Sequence, residues 1–205
     1  MKYPIGIQTF ERIREDGFVY VDKTALLYDL VTKGTIYFLS RPRRFGKSLL
    51  ISTLENYFLG RKAMFQGLAI EKLEKEWAEY PVFHIDFNGC NFTSPLELKK
   101  KIETFVATQE EKYGRDSLAE TFGDRLSYVF KQAHEKTGRR VVVLIDEYDK
   151  PLLDVMNLDI PSPEAEGDIK TLEEYNREIL KGFYSVFKLA DKHLRFVLLT
   201  GVTKF

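Results

Sequence analysis

A glycine, a lysine and a hydroxyl residue in direct succession, Gly46-Lys47-Ser48, are residue types that together hold a phosphate chain. Gly46 lets the backbone approach an oxyanion closely. The unpaired amides of a helix starting here aim at it from the positive end of the helix dipole. Lys47 brings a cation to the β- and γ-phosphates, and the Ser48 hydroxyl is a ligand for Mg²⁺. The full window, Arg41-Pro42-Arg43-Arg44-Phe45-Gly46-Lys47-Ser48, stands against the P-loop pattern G-x-x-x-x-G-K-[ST]. Its last three positions match, and Arg41 replaces the first glycine. Such a triplet arises by chance in on the order of one chain in ten of this length, so its setting decides. It follows a β-branched and aromatic run at residues 35–40 (TIYFLS) and precedes Leu49, Leu50, Leu54, Tyr57 and Phe58, which recur at helical spacing until Gly60. The expected nucleotide contacts are Arg43, Arg44, Phe45, Gly46, Lys47, Ser48 and Leu49. Pro42 restricts Arg41 to extended conformations, so the first turn of the loop must differ from the usual one. The three loop arginines read either as a solvated basic turn or as guanidinium partners for phosphate.

The second constellation closes residues 141–145 (VVVLI), an apolar run without alternation, which predicts a strand buried on both faces of a parallel sheet. Asp146-Glu147 follows directly. A carboxylate at such a strand end orders Mg²⁺, and the next one positions or deprotonates an attacking water. The metal ligands are then Ser48 and Asp146. The catalytic candidates are Glu147 and Thr200, the latter as a sensor of the γ-phosphate at the end of the last strand, with Thr203 and Lys204 as its alternatives. By itself an acidic strand end is ordinary solvent-facing surface; the upstream Gly-Lys-Ser gives it meaning. Asp149 reads either as a residue beside the metal's ligands or as a helix cap.

Those residues need strands to hold them. Strands are expected at residues 35–40, 82–87, 141–145 and 195–200, separated by helical patterns. Ser94-Pro95-Leu96-Glu97 reads as a capping box opening a helix that carries Leu98, Ile102, Phe105 and Val106 and stops at Gly114. A further helix carries Leu118, Phe122, Leu126, Val129, Phe130 and Ala133. A long amphipathic one carries Leu172, Tyr175, Ile179, Phe183, Val186, Phe187 and Ala190. The acidic stretch 154–168 reads as a surface excursion. Alternating strands and helices predict an α/β fold, a three-layer α/β/α sandwich on a mainly parallel sheet, in one domain over residues 1–205.

Composition narrows the function classes. Lys plus Arg and Asp plus Glu both number 31, which argues against a chain dedicated to coating nucleic acid. Cys90 is the single cysteine, so no intrachain disulfide forms, in keeping with a reducing cytoplasm. The three histidines, His84, His134 and His193, lack metal-ligand spacing, and no zinc site is expected. No run approaches the roughly 20 apolar residues of a membrane helix, and no membrane partner is expected.

With these residues in view, five segments carry a resemblance: Tyr3-Pro4-Ile5-Gly6-Ile7-Gln8 with Phe10; Tyr20-Val21-Asp22-Lys23-Thr24; the arginine-rich loop 41–48; Asp146-Glu147-Tyr148-Asp149-Lys150-Pro151; and Thr200-Gly201-Val202-Thr203-Lys204-Phe205. The chain resembles the prokaryotic AAA-ATPase-like family from end to end. That resemblance implies a P-loop NTPase domain of the additional-strand, catalytic-glutamate class, with ATP and Mg²⁺ as cofactors. It makes the missing first glycine a family trait. It also implies that members continue into further regions, often a nuclease-like domain of the PD-(D/E)XK type, through which nucleic acid would be a partner. In sheets of this class the P-loop strand lies between the fourth and fifth strands. Only four are counted here, so the chain is expected to be a fragment with that strand at an open edge, prone to self-association. The function expected is Mg²⁺-dependent ATP hydrolysis coupled to conformational change. A non-hydrolysing nucleotide switch or interaction module is the alternative, and a P-loop kinase is a third, disfavoured by Glu147. No Asn-Lys-x-Asp motif points to guanine.

Overall fold

The computed structural model of the chain describes residues 1–164 and 169–203. In chain order the elements are α1 (Phe10–Glu15), α2 (Thr24–Lys33), β1 (Ile36–Ser40), α3 (Lys47–Phe58), α4 (Ile70–Leu73), β2 (Val82–Asp86), α5 (Glu97–Tyr113), α6 (Phe122–Thr137), β3 (Val141–Asp146), α7 (Lys150–Leu153), α8 (Leu172–Leu189) and β4 (Leu194–Gly201). The sheet has the order β1-β4-β3-β2, and every pairing is parallel. This is the expected α/β/α class.

Side-chain alternation divides the interior in two. Val142, Leu144, Phe196 and Leu198 point to the face covered by Ile51, Leu54 and Phe58 of α3 and by α1 and α2. Val141, Val143, Ile145 and Val197 point to the opposite face, under Ile102 and Val106 of α5, Phe130 of α6 and Phe183 of α8. All six residues of β3 are buried, as the uninterrupted apolar run predicts. Because all strands are parallel, Ser40, Gly201, Asp146 and Asp86 reach the same pole, where Ser40 is in register with Gly201 and Asp86 with Asp146.

Two local expectations are corrected. Ser94 to Glu97 form no capping box: α5 starts at Glu97, after Leu96 in a left-handed conformation (φ 67°), with no side-chain cap. The Glu97 amide donates instead to the Ser94 carbonyl, so the segment closes as a turn. Leu118 lies ahead of α6 and is 87% exposed; α6 opens at Thr121, whose hydroxyl accepts the Asp124 amide. Of the acidic stretch 154–168, residues 165–168 lie outside the described residues; an antiparallel bridge joins Pro161, before them, to Thr171, after them.

Among the described residues β1 is paired on one side only, with β4. Tyr37 and Leu39 pack toward α3, whereas Ile36 and Phe38, on the other face, are 53% and 40% exposed. The run 18–21 forms no strand beside it. An unpaired apolar edge is a template for another chain. The chain of residues 1–205 is therefore expected to self-associate with rising concentration in sedimentation velocity, and Ile36→Lys is expected to reduce that association. Equal sedimentation of both proteins at every concentration would remove the edge as the cause.

Candidate functional site

The loop between β1 and α3 carries its strain in an unusual place. Gly46 is left-handed (φ 77°) at the N-cap of α3, and Arg44 is also left-handed (φ 66°). A non-glycine residue there costs about 1–2 kcal/mol. The left-handed residues of this loop are thus Arg44 and Gly46. The α3 ladder begins with the Leu50 amide on the Gly46 carbonyl, 3.0 Å. That leaves the amides of Lys47, Ser48 and Leu49 without helix partners at the positive end of the dipole. Arg41, Arg43, Arg44 and Phe45 are exposed around this opening.

Lys47 is different, with only 4% of its surface exposed. Its ammonium donates to the carbonyls of Arg41 (3.0 Å) and Pro42 (3.3 Å), curling under the loop. Its third partner is Glu147 Oε1 at 3.2 Å. This ion pair joins residues a hundred positions apart. In a continued strand Glu147 would point to the face opposite Asp146. Its left-handed backbone (φ 53°) turns the side chain back toward the loop instead. Backbone strain of this kind persists where the surroundings over-determine it, and it clusters at functional sites.

Asp146 is 2% exposed. Its Oδ1 accepts the Thr200 hydroxyl and the Glu147 amide (3.1 Å). Thr200 is fully buried on the same face of the sheet. So the structure brings Lys47, Glu147, Asp146 and Thr200 together, with Ser48 on the first turn of α3. Leu49 is half-buried there, and its carbonyl accepts the Thr53 hydroxyl. Of the alternatives to Thr200, Thr203 is held by Asp149, and Lys204 lies outside the described residues. Asp149 occupies the N-cap position of α7 without capping it.

Sequence reasoning missed Asp86. It ends β2 exposed, in register beside Asp146 on the same face, and its Oδ1 accepts the Asn88 amide. The signal was present, since VFHIDF places an acid at a strand end just as VVVLID does. Two residues earlier, His84 Nδ1 meets Glu55 Oε2 of α3 at 3.1 Å. Burial alone would depress the His84 pKa. The Glu55 hydrogen bond and charge, with Asp86 and Asp146 nearby, outweigh it and raise the value above 6.5.

Ser48 and Asp146 supply a hydroxyl and a carboxylate, hard oxygen donors that suit Mg²⁺. Among the described residues the Thr200 hydroxyl and the Glu147 amide both meet Asp146 at Oδ1. Among the described residues no group of three or more His, Cys, Asp or Glu is arranged to hold a metal by itself. Among the same residues no helix is long and apolar enough to cross a membrane.

Comparison with known proteins adds two findings. The model of the AAA-ATPase-like family, described as a predicted AAA-ATPase, matches residues 4–205. The chain is also 42% identical over 206 residues to an uncharacterized protein in the vnfD 5′ region of Azotobacter chroococcum mcd 1. That alignment covers 100% of this chain and 38% of the relative, so the chain spans well under half the length of the protein it matches. No solved structure matches.

The raised His84 pKa sets a pH dependence. Protonated His84 is stabilised by Glu55 in the folded state, so its contribution is fully present below the ordinary value of 6.5. It is lost as pH rises through the higher folded value. Urea denaturation between pH 5 and 9 is expected to show this decline, and His84→Gln is expected to abolish it. An unchanged slope in the variant would exclude the pair as its source.

Proposed function

We propose that this chain, which belongs to the AAA-ATPase-like family, binds ATP with Mg²⁺ and hydrolyses it, coupling the cycle to movement of Glu147. The observation that carries this reading is the Lys47–Glu147 ion pair, which holds the lysine of the Gly-Lys-Ser triplet against a carboxylate beside the N-terminus of α3. The β- and γ-phosphates would take the place of that carboxylate on Lys47, with the Lys47, Ser48 and Leu49 amides facing the same oxyanions. Glu147, released from its cation, would turn to a water in line with the γ-phosphorus and accept its proton as the water attacks. Thr200 keeps Asp146 oriented through its hydroxyl. Ser48 and Asp146 would hold the Mg²⁺, which neutralises charge on the phosphate oxygens. Arg43 and Arg44, exposed beside the loop, are the groups for the outer phosphate oxygens.

The same ion pair favours a second reading. Nucleotide binding alone would free Glu147, so a chain with negligible turnover would still switch between two arrangements. Contact with nucleic acid belongs, in this proposal, to regions beyond the present residues, since the matched relative is much longer.

Lys47→Ala is expected to weaken Mg²⁺-ATP binding strongly in calorimetry, because it removes the loop's only lysine charge. Glu147→Gln is expected to retain binding and lose phosphate release, since an amide takes no proton from water. Unchanged affinity in the first variant removes the central claim. Unchanged binding with turnover absent in the wild type as well selects the switch.

Neutral replacements of Arg43 and Arg44 provide a separate check. Each is expected to raise the dissociation constant for ATP more than that for adenosine. Equal effects on both ligands would return these arginines to the status of a solvated turn.

A further inference from the structure

Asp149 is fully buried, and the chemistry above makes no use of it. It stands three residues after Asp146, yet its bonds run to the far end of the chain. Oδ2 accepts the amides of Val202 (2.8 Å) and Thr203 (2.6 Å) and the Thr203 hydroxyl (2.8 Å). Oδ1 has no partner among the described residues. It would lie 2.7 Å from a Cβ built on Gly201, where the Tyr148 ring crowds in as well. No side chain fits at position 201. A buried carboxylate with one oxygen unpaired is costly. Three donors converging on the other oxygen, as charge-assisted bonds of about twice the ordinary strength, offset that cost.

The residues so gripped are also held from two other directions. Tyr148 donates its amide to the Thr200 carbonyl (2.9 Å) and its hydroxyl to the Thr203 carbonyl (2.8 Å). From the P-loop side, the Ser40 hydroxyl donates to the Val202 carbonyl (2.8 Å) and the Arg41 amide to the Gly201 carbonyl (3.0 Å). Residues 200–203 thus lie between the start of the phosphate loop and the turn after the acidic pair, bonded to both.

We propose that Asp149 is a positioning residue for nucleotide hydrolysis. It clamps the exit of β4, and through that exit it sets the start of the P-loop at Ser40 and Arg41 against Asp146 and Glu147. The inference rests on the ATP reading above. Asp149 would act through the backbone it holds at Val202 and Thr203. Without it, the 202–203 turn loses its common acceptor, the backbone that follows Thr200 loosens, and the hydroxyl that orients Asp146 drifts. Misplacement of about 1 Å at such a distance from the reacting atoms lowers turnover by on the order of a hundredfold.

The test measures kcat and KM for Mg²⁺-ATP in the full chain, with the folded fraction of each variant fixed by circular dichroism. Asp149→Ala is expected to lower kcat by roughly tenfold to a hundredfold with KM little changed. Asp149→Asn, which keeps one oxygen for the three donors, is expected to recover most of that loss. Thr203→Val removes a single donor and is expected to give a smaller fall in kcat, so the proposal stays testable where the alanine variant does not fold. A kcat that follows only the folded fraction, or no recovery by asparagine, overturns the positioning role. Wild-type turnover with undiminished kcat in Asp149→Ala overturns this inference alone. A wild-type chain that neither binds nor hydrolyses ATP overturns it together with the ATP reading.

Discussion

Backbone hydrogen bonding along β4 governs the rest of the molecule. Residues 197–201 run in register with β1 on one side, and residues 194–199 pair with β3 on the other. The strand that leads into the Gly-Lys-Ser loop and the strand that carries the acidic pair are not neighbours in the sheet. Their separation and stagger are transmitted through β4, two strand spacings of about 4.8 Å each. A slip of one residue would move Thr200 to the opposite face and take its hydroxyl off Asp146. The buried side chains of β4, with Phe196 and Leu198 on one face and Val197 on the other, make such a slip expensive.

Much of this was readable because the signals were local and periodic. The unbroken apolar run of β3, the spacing of Leu50, Leu54 and Phe58 in α3 and the stripe of α8 each repeat often enough to identify an element. The errors fell where a few residues had to decide. Ser94-Pro95-Leu96-Glu97 carries the letters of a capping box, but Leu96 takes a left-handed conformation and the segment closes as a turn on the Ser94 carbonyl. The helix α1 has only six residues, too few to show a period, and is held from outside by the Phe10 amide on the Ser52 hydroxyl.

At the site, residue types were readable and partnerships were not. Gly46, Lys47, Ser48, Asp146 and Glu147 stand out by spacing alone. That Lys47 and Glu147 form an ion pair depends on a left-handed residue after β3, which no pattern of side chains announces. The sequence around Asp149 predicts a helix cap or a place beside Asp146, because those are the local roles of an aspartate near a strand end. Its actual partners lie 53 and 54 positions away. A buried acid in a tight motif, followed much later by a glycine in a Thr-Gly-Val-Thr run, is the only trace of that contact in the sequence.

The exposed flank of β1 has a thermodynamic side. The strand that offers an open edge to another chain is the strand that leads into the Gly-Lys-Ser loop, with Ser40 as its last residue and Arg41 as the first of the loop. Any segment that hydrogen-bonds along Ile36 to Ser40 would stiffen the backbone leading into that loop. If stiffening alters nucleotide affinity by some factor, nucleotide must alter the grip on the added segment by the same factor, because coupling free energies are reciprocal. Assembly at this edge and occupancy of the loop would then form one linked equilibrium, read equally well from either end.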